Sequence, residues 1–239
     1  MFTNEEADEV ESNKDPLAGL DMAYGISYLW KYVVVLQCCS YCVLSFCIVV
    51  KESQKLYDSL TSQFTISMAK AASKRERDEK QMKSMNLVYG EITFESMGII
   101  LEKIKKRYGK PYVGTSGSGG VLQQSCGGIF YDLGSGSGKS TIAAAVLHNF
   151  EMCWGIEQLE GLYSMSLDLN NAYEQKGKSK LLGREKDTDI QFMNGDLLNL
   201  AFKDWRDGDV IFCNSTCFDE QLMNKFCDRA SKFTSLVSL

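Results

Sequence analysis

Proline is nearly missing from this chain, with two residues in 239, Pro16 and Pro111. A residue that fixes φ and removes a donor marks rigid loops and linkers, so long stretches of either are not expected. Histidine is scarcer still: the one copy, His148, falls on a helix that follows a glycine loop, where it reads as a surface or packing residue. Nothing in the cysteines reads as a disulfide framework. There are nine, an odd number without framework spacing, which points to reduced thiols in a nuclear or cytoplasmic setting. Cys39 and Cys42 form the one close pair of their type; they lie in an apolar run with no second pair and no nearby histidine, so no metal site is expected. Neither sign of charge dominates. With 26 basic and 31 acidic residues the net charge is −5, and nothing global demands a nucleic-acid partner. At 44% apolar and 24% charged, the chain can bury one sizeable core with accessory helices.

What is abundant is local. Tyr32 to Val50 carries no charge over nineteen residues, bracketed by Lys31 and Lys51, and is long enough to span a bilayer. An acidic segment precedes it and a Lys/Arg-rich one follows, so a true span would leave the C-terminal region cytosolic as a membrane-anchored protein. It starts too late for a signal peptide. The competing readings are a buried segment, or an insertion interrupting a helix that would otherwise join residues 24–30 to 52–57. The expected layout is therefore an acidic segment 1–31, the apolar segment 32–50, a charged helical region 51–85 and a main domain 86–239.

The most informative feature is Tyr131-Asp-Leu-Gly-Ser-Gly-Ser-Gly-Lys-Ser-Thr141. Its tail resembles a phosphate loop, but that motif needs a glycine where Leu133 stands. Asp132 would also aim a carboxylate at a polyanion, and the apolar strand ending in a metal-holding aspartate has no better candidate than Asp209-Val-Ile-Phe-Cys-Asn214, which ends in asparagine. The head, Asp132-x-Gly134-x-Gly136-x-Gly138, resembles the loop of an S-adenosylmethionine-dependent methyltransferase, which meets an amino-acid moiety in place of a pyrophosphate.

The flanks make a repeating strand–turn–helix pattern. An apolar run at 128–132 reads as a buried strand, and 140–147 as an Ala-rich helix. A second strand, 152–157, ends in Glu157, about twenty residues beyond the loop, the spacing of an acid that holds both ribose hydroxyls. A third, 189–193, leads to Asp196 and Leu197, placed for the adenine amino group and ring. A fourth begins at Asp209 and opens at Asn214 into the loop before a helix at 219–230. Asp132, Glu157, Asp196 and Asn214 thus fall at or just past strand carboxyl ends, where open parallel sheets carry their ligands. Singly, each could be a turn or capping residue. The fold class is α/β, a Rossmann-like, mostly parallel sheet with a helical N-terminal region.

Val88-Tyr-Gly-Glu-Ile-Thr-Phe94, the glycine loop, Trp154-Gly-Ile-Glu157, Gly195-Asp-Leu-Leu198 and Val210-Ile-Phe-Cys-Asn214 followed by Phe218 occur in that order. Together, over residues 86–233, they resemble the Disruptor-of-telomeric-silencing family of non-SET histone-lysine methyltransferases. The resemblance implies S-adenosylmethionine as cofactor and a nucleosomal histone lysine as substrate. It gives Tyr89 and Glu91 to the methionine end, and Asp132, Gly134, Gly136 and Gly138 to the loop. Glu157 goes to ribose, Asp196 and Leu197 to adenine, Asn214 to the methyl-transfer point and Phe218 to the lysine channel. The chain departs from the family at Ile92, where a hydroxyl residue is usual, and at Ser215, where a second asparagine is common. Lys139 replaces a usual glutamine, its charge either meeting the cofactor carboxylate or pointing to water. After the helix at 219–230 only 233–239 remains, so the fifth strand and the antiparallel pair of a seven-stranded methyltransferase are expected to be missing.

The basic residues between Lys70 and Lys83 and between Lys103 and Lys110 read as solvated helix faces, or alternatively as contacts to nucleosomal DNA or the acidic histone patch. Gly114 to Gly120 reads as a flexible loop.

Overall fold

The computed structural model describes residues 43–82, 84–108, 122, 127–181, 187–199 and 204–231. The core element is a four-stranded, wholly parallel sheet of order β3-β2-β1-β4. Its strands are β1 (Ile129–Leu133), β2 (Met152–Glu157), β3 (Asp189–Asn194) and β4 (Val210–Cys213). Among the described residues six α-helices accompany it: α1 (Val43–Thr61), α2 (Ile66–Glu79), α3 (Phe94–Tyr108), α4 (Lys139–Leu147), α5 (Glu160–Ala172) and α6 (Glu220–Ala230). The α/β class and the four strands expected from sequence are borne out.

Chain order fixes where a ligand can enter. From β1 the chain steps outward through β2 to β3, then returns to place β4 on the other side of β1. The direction of winding therefore reverses between β1 and β4, and the carboxyl ends of those two strands part to leave a crevice. Register is set by aligned side chains: Tyr131 pairs with Trp154, Asp132 with Gly155 and Leu133 with Ile156.

α4 is apolar on every side, and the structure explains why. Thr141 through Val146 are all buried, because α4 is enclosed between the sheet, α1 and α3. Its three consecutive alanines permit that close approach. The main core joins Phe130, Ile142 and Phe150 to Leu56, Tyr57, Leu60 and Phe64 from the N-terminal helical region. The opposite sheet face carries Tyr131 stacked on Trp154, centroids 6.4 Å apart, and the Tyr131 hydroxyl donates to Asp207 at 2.6 Å.

The helical region divides where its sequence gave no proline or glycine signal. α1 ends at Thr61, and Thr65 caps α2 by accepting from the Met68 N–H at 3.3 Å. α2 is not a purely solvated face: Ser73 and Glu76 are buried. The Glu76 carboxylate accepts from the N–H groups of Glu160 (3.0 Å) and Gly161 (2.8 Å), closing the first turn of α5. Residue 159, which precedes that helix, is a leucine and has no side-chain cap to offer.

Residues 32–42 of the apolar run lie outside the described residues, and 43–50 open α1. Among the described residues, no helix is long and apolar enough to cross a membrane. The Cys39/Cys42 pair, the segment 114–120 and the end of the chain beyond 231 also lie outside them. His148 sits at the end of α4 with its ring edge-on to Phe150, centroids 4.5 Å apart, in keeping with a packing role.

Candidate functional site

The crevice at the strand ends is a cleft of about 350 Å³. Its walls come from residues 84–90, the turn after β1, the end of β2, the turn after β3 and the segment joining β4 to α6. Of the residues expected to form the site, it brings together Tyr89, Gly134, Gly136, Glu157, Asp196, Leu197, Asn214 and Phe218. Glu91 lies in a small adjoining recess that shares Tyr89, Gly134 and Asn214 with the cleft. Asp132 and Gly138 line neither.

The three loop glycines have distinct reasons to be glycine. All hold positive φ, at +82° for Gly134, +57° for Gly136 and +83° for Gly138. A Cβ on Gly134 would meet only the Phe218 ring, at 4.0 Å, so its backbone stays open to the cleft. A Cβ on Gly136 would lie 2.5 Å from the Tyr89 ring, and one on Gly138 would lie 2.7 Å from Phe192 and 2.9 Å from Ser166. Gly136 thus admits Tyr89 over the loop, while Gly138 lets α4 approach the neighbouring strand and helix. The turn is pinned from β2: the N–H groups of Gly134 and Ser135 donate to the Ile156 carbonyl at 2.9 and 3.0 Å.

Two buried carboxylates support this loop. Asp132 is 1% exposed beneath it. One of its oxygens accepts from Ser140 Oγ (2.5 Å) and Thr141 Oγ1 (2.8 Å) in the first turn of α4. The other, Oδ1, has no hydrogen-bond partner. Burial raises the Asp132 pKa to about 6, although the two hydroxyls pull it back. Glu157 accepts from the Gly136 N–H at 2.8 Å and the Leu159 N–H at 2.7 Å, one on each oxygen. Burial pushes its pKa up and those two amides oppose the shift.

Tyr89 closes the loop from above. Its hydroxyl donates to Glu91 Oε1 at 2.7 Å and lies 2.7 Å from Ser137 Oγ; burial pushes the phenol well above its ordinary range. Glu91 is also held by Lys139, whose Nζ donates to both carboxylate oxygens at 2.9 and 3.1 Å. The lysine that imitates a phosphate loop is therefore neither free for a phosphate nor pointed at water. At the far end of the cleft, Asp196 accepts from the Leu198 N–H at 2.9 Å, while the Leu197 carbonyl accepts from Trp205 Nε1 at 2.8 Å. Asn214 Oδ1 accepts from Thr216 Oγ1 at 3.3 Å.

Sequence reasoning missed a clasp across the mouth. Asn86 Nδ2 donates to Asp219 Oδ2 at 2.8 Å, and the Asp219 N–H donates to Asn86 Oδ1 at 2.6 Å. Asp219 is legible as the cap of α6, since it also accepts from the Leu222 N–H. Its partner is 133 residues away, and no local signal marks it.

The residues fit a cationic, amphoteric nucleoside better than a polyphosphate. Glu157, Asp196 and Asp219 line the cleft with Leu159, Leu162 and Leu197 against a single lining lysine, Lys225, and the loop's own lysine is already paired with a carboxylate. Together, a reversing parallel sheet, a glycine turn after β1 and acids at the next two strand ends define a Rossmann-like fold with its ligand cleft at the strand carboxyl ends.

The sequence profile of the histone methylation protein DOT1 family matches residues 122–235 of this chain. Among solved structures it is similar to a protein assigned as an S-adenosyl-L-methionine-dependent methyltransferase from Methanococcus maripaludis. Identity there is 20% and the TM-score 0.38, over 66% of this chain and 56% of that one. It is also similar to the YcgJ protein of Bacillus subtilis, at 16% identity and TM-score 0.31, over 51% and 38% of the two chains. The chain thus spans little more than half the length of the first of these. No curated protein sequence matches it.

Proposed function

We propose that the cleft binds S-adenosylmethionine and that the protein transfers its methyl group to a protein lysine, a histone lysine on nucleosomes. The observation that carries this reading is the charge pattern of the cleft: three carboxylates, Glu157, Asp196 and Asp219, against one lysine, Lys225, among its described lining residues, with the loop lysine beside it paired to Glu91. A polyphosphate would meet repulsion there, whereas a sulfonium with an ammonium arm would not.

The bound cofactor would supply an electrophilic methyl on a positively charged sulfur. Leu159, Leu162 and Leu197 would hold the base, Glu157 and Asp196 the ribose and adenine polar edges, and the open Gly134 backbone the amino-acid arm. Tyr89, fixed by Glu91 and Ser137, would cover that arm. Asn214 and Phe218, on the β4 side of the crevice, would border the entry of a neutral lysine amine for in-line attack. Positioning and exclusion of water carry most of the effect in such a displacement. No strong base is required beyond one that removes the lysine proton before attack. A nuclear setting follows from this reading.

Calorimetry of the purified chain against S-adenosylmethionine and against ATP tests the ligand. Binding of the first and not the second is expected, and Asp196→Ala should weaken it; ATP binding alone would overturn the assignment. Methyl transfer from labelled cofactor, compared on nucleosomes and on free histones, tests the substrate. Transfer to neither would remove the catalytic part of the reading and leave cofactor binding.

A further inference from the structure

Two buried carboxylates share the N-terminus of α5. Glu157 accepts from the Leu159 N–H at 2.7 Å, and Glu76 of α2 accepts from the next two, Glu160 at 3.0 Å and Gly161 at 2.8 Å. The three donors are consecutive in the chain, and both acceptors are 7% exposed. The acceptors differ in what else they do. Glu157 also takes the Gly136 N–H at 2.8 Å and lines the cleft. Glu76 lines neither the cleft nor its recess, and its other bond comes from Lys80 Nζ at 2.7 Å.

How the donors are divided matters, because the first turn of a helix has unsatisfied N–H groups and attracts carboxylates. Without Glu76, two N–H groups at the positive end of α5 would lose their acceptor. Glu157, already bonded to the adjoining N–H, would be drawn further toward them. That movement would leave the Gly136 N–H without its partner and withdraw a carboxylate from the cleft. The same turn carries Leu159 and Leu162, which line the cleft and cluster with Ala69 of α2. Helix α2 therefore backs this wall. We propose that Glu76 is a positioning residue for the ligand: by satisfying the first turn of α5 it leaves the Glu157 carboxylate facing the glycine loop and the cleft, available to the ribose hydroxyls. Glu76 touches no ligand itself. This rests on the reading of Glu157 as the ribose acid of an S-adenosylmethionine site.

The test is a double-mutant cycle on the full chain, read by calorimetry of S-adenosylhomocysteine, which binds without turnover. Each variant is first checked for a thermal transition above the assay temperature. Glu76→Gln keeps one acceptor oxygen and loses the other. It should weaken binding about fivefold or more, the scale of one hydrogen bond. In a Glu157→Gln background the same change should alter affinity by less than about twofold, because the group it positions is gone. Lys80→Ala should stay within about twofold of the unaltered protein. Glu76→Asp keeps the charge one methylene short and should show the same coupling, so the test survives a Gln variant that fails to fold. An equal loss in both backgrounds would overturn the proposal and leave Glu76 a general support of the fold. Unchanged or tighter binding by both Glu76 variants would overturn it too. If S-adenosylhomocysteine did not bind, or Glu157→Gln left its affinity unchanged, the ribose reading itself would fall and the positioning role with it.

Discussion

Asp132 is the residue whose role changes most between sequence and structure. Its place before the glycine turn marks it for the ligand, yet its carboxylate is turned under the loop to Ser140 and Thr141 and stays out of the cleft. Burial raises its pKa from 3.8 to about 6. A proton is then held more tightly folded than unfolded, so the associated stability is full below about pH 4 and is lost as the pH rises through 6. The shift corresponds to about 3 kcal/mol. Asp132→Asn carries no charge at any pH and keeps an acceptor for the two hydroxyls. Urea denaturation at stepped pH should show the unaltered protein losing about that much relative to the variant between pH 4 and 6; parallel curves would count against it. Glu157 is raised chiefly by burial and also by the Asp132 charge, so in the variant its slope keeps its direction but is smaller.

At the level of elements, α5 shows how a helix can borrow its cap. Leu159 offers no acceptor, and the first-turn N–H groups of Glu160 and Gly161 are satisfied by Glu76 from α2. Hydrogen bonding to those amides and Lys80 holds the Glu76 carboxyl below its usual pKa despite its burial. Glu76→Ala should therefore cost about 1–3 kcal/mol, for lost charge-assisted bonds and orphaned donors. Lys80→Ala removes only a half-exposed partner and should cost less than about 1 kcal/mol. Thermal denaturation of the two variants distinguishes a cap from a surface ion pair; equal small losses would show that α5 does not depend on α2. Helix α2 thus has a buried structural face, although its run of charges reads in sequence as solvated.

For the whole molecule, the helical region is part of the core. Leu56, Tyr57, Leu60 and Phe64 pack in one cluster with Phe130, Ile142 and Phe150. Burial of each is worth about 1.5–3 kcal/mol, and four together rival the total stability of an ordinary domain, about 5–15 kcal/mol. A chain starting at residue 82, without α1 and α2, should lose its cooperative thermal transition and bind a hydrophobic dye. A chain that kept the transition would show the sheet and remaining helices to be self-sufficient.

The sequence by itself determined the elements of the sheet and the ends at which a ligand could sit. Glycines that need positive φ, apolar runs of strand length and acids at the strand ends are local signals, and they locate the turn after β1, Glu157, Asp196 and Asn214. Only the tertiary structure decided how those groups are used. Whether an acid faces a cleft or a helix turn depends on what packs above it, which is why Asp132 and Gly138 serve the scaffold. Whether a lysine is free depends on a partner brought from elsewhere: Glu91 lies 48 residues before Lys139, and Asn86 lies 133 before Asp219. Contacts at that separation leave no period or spacing in the chain. They arise when the segment carrying Asn86, Tyr89 and Glu91 closes over strand ends that the sheet has already brought together.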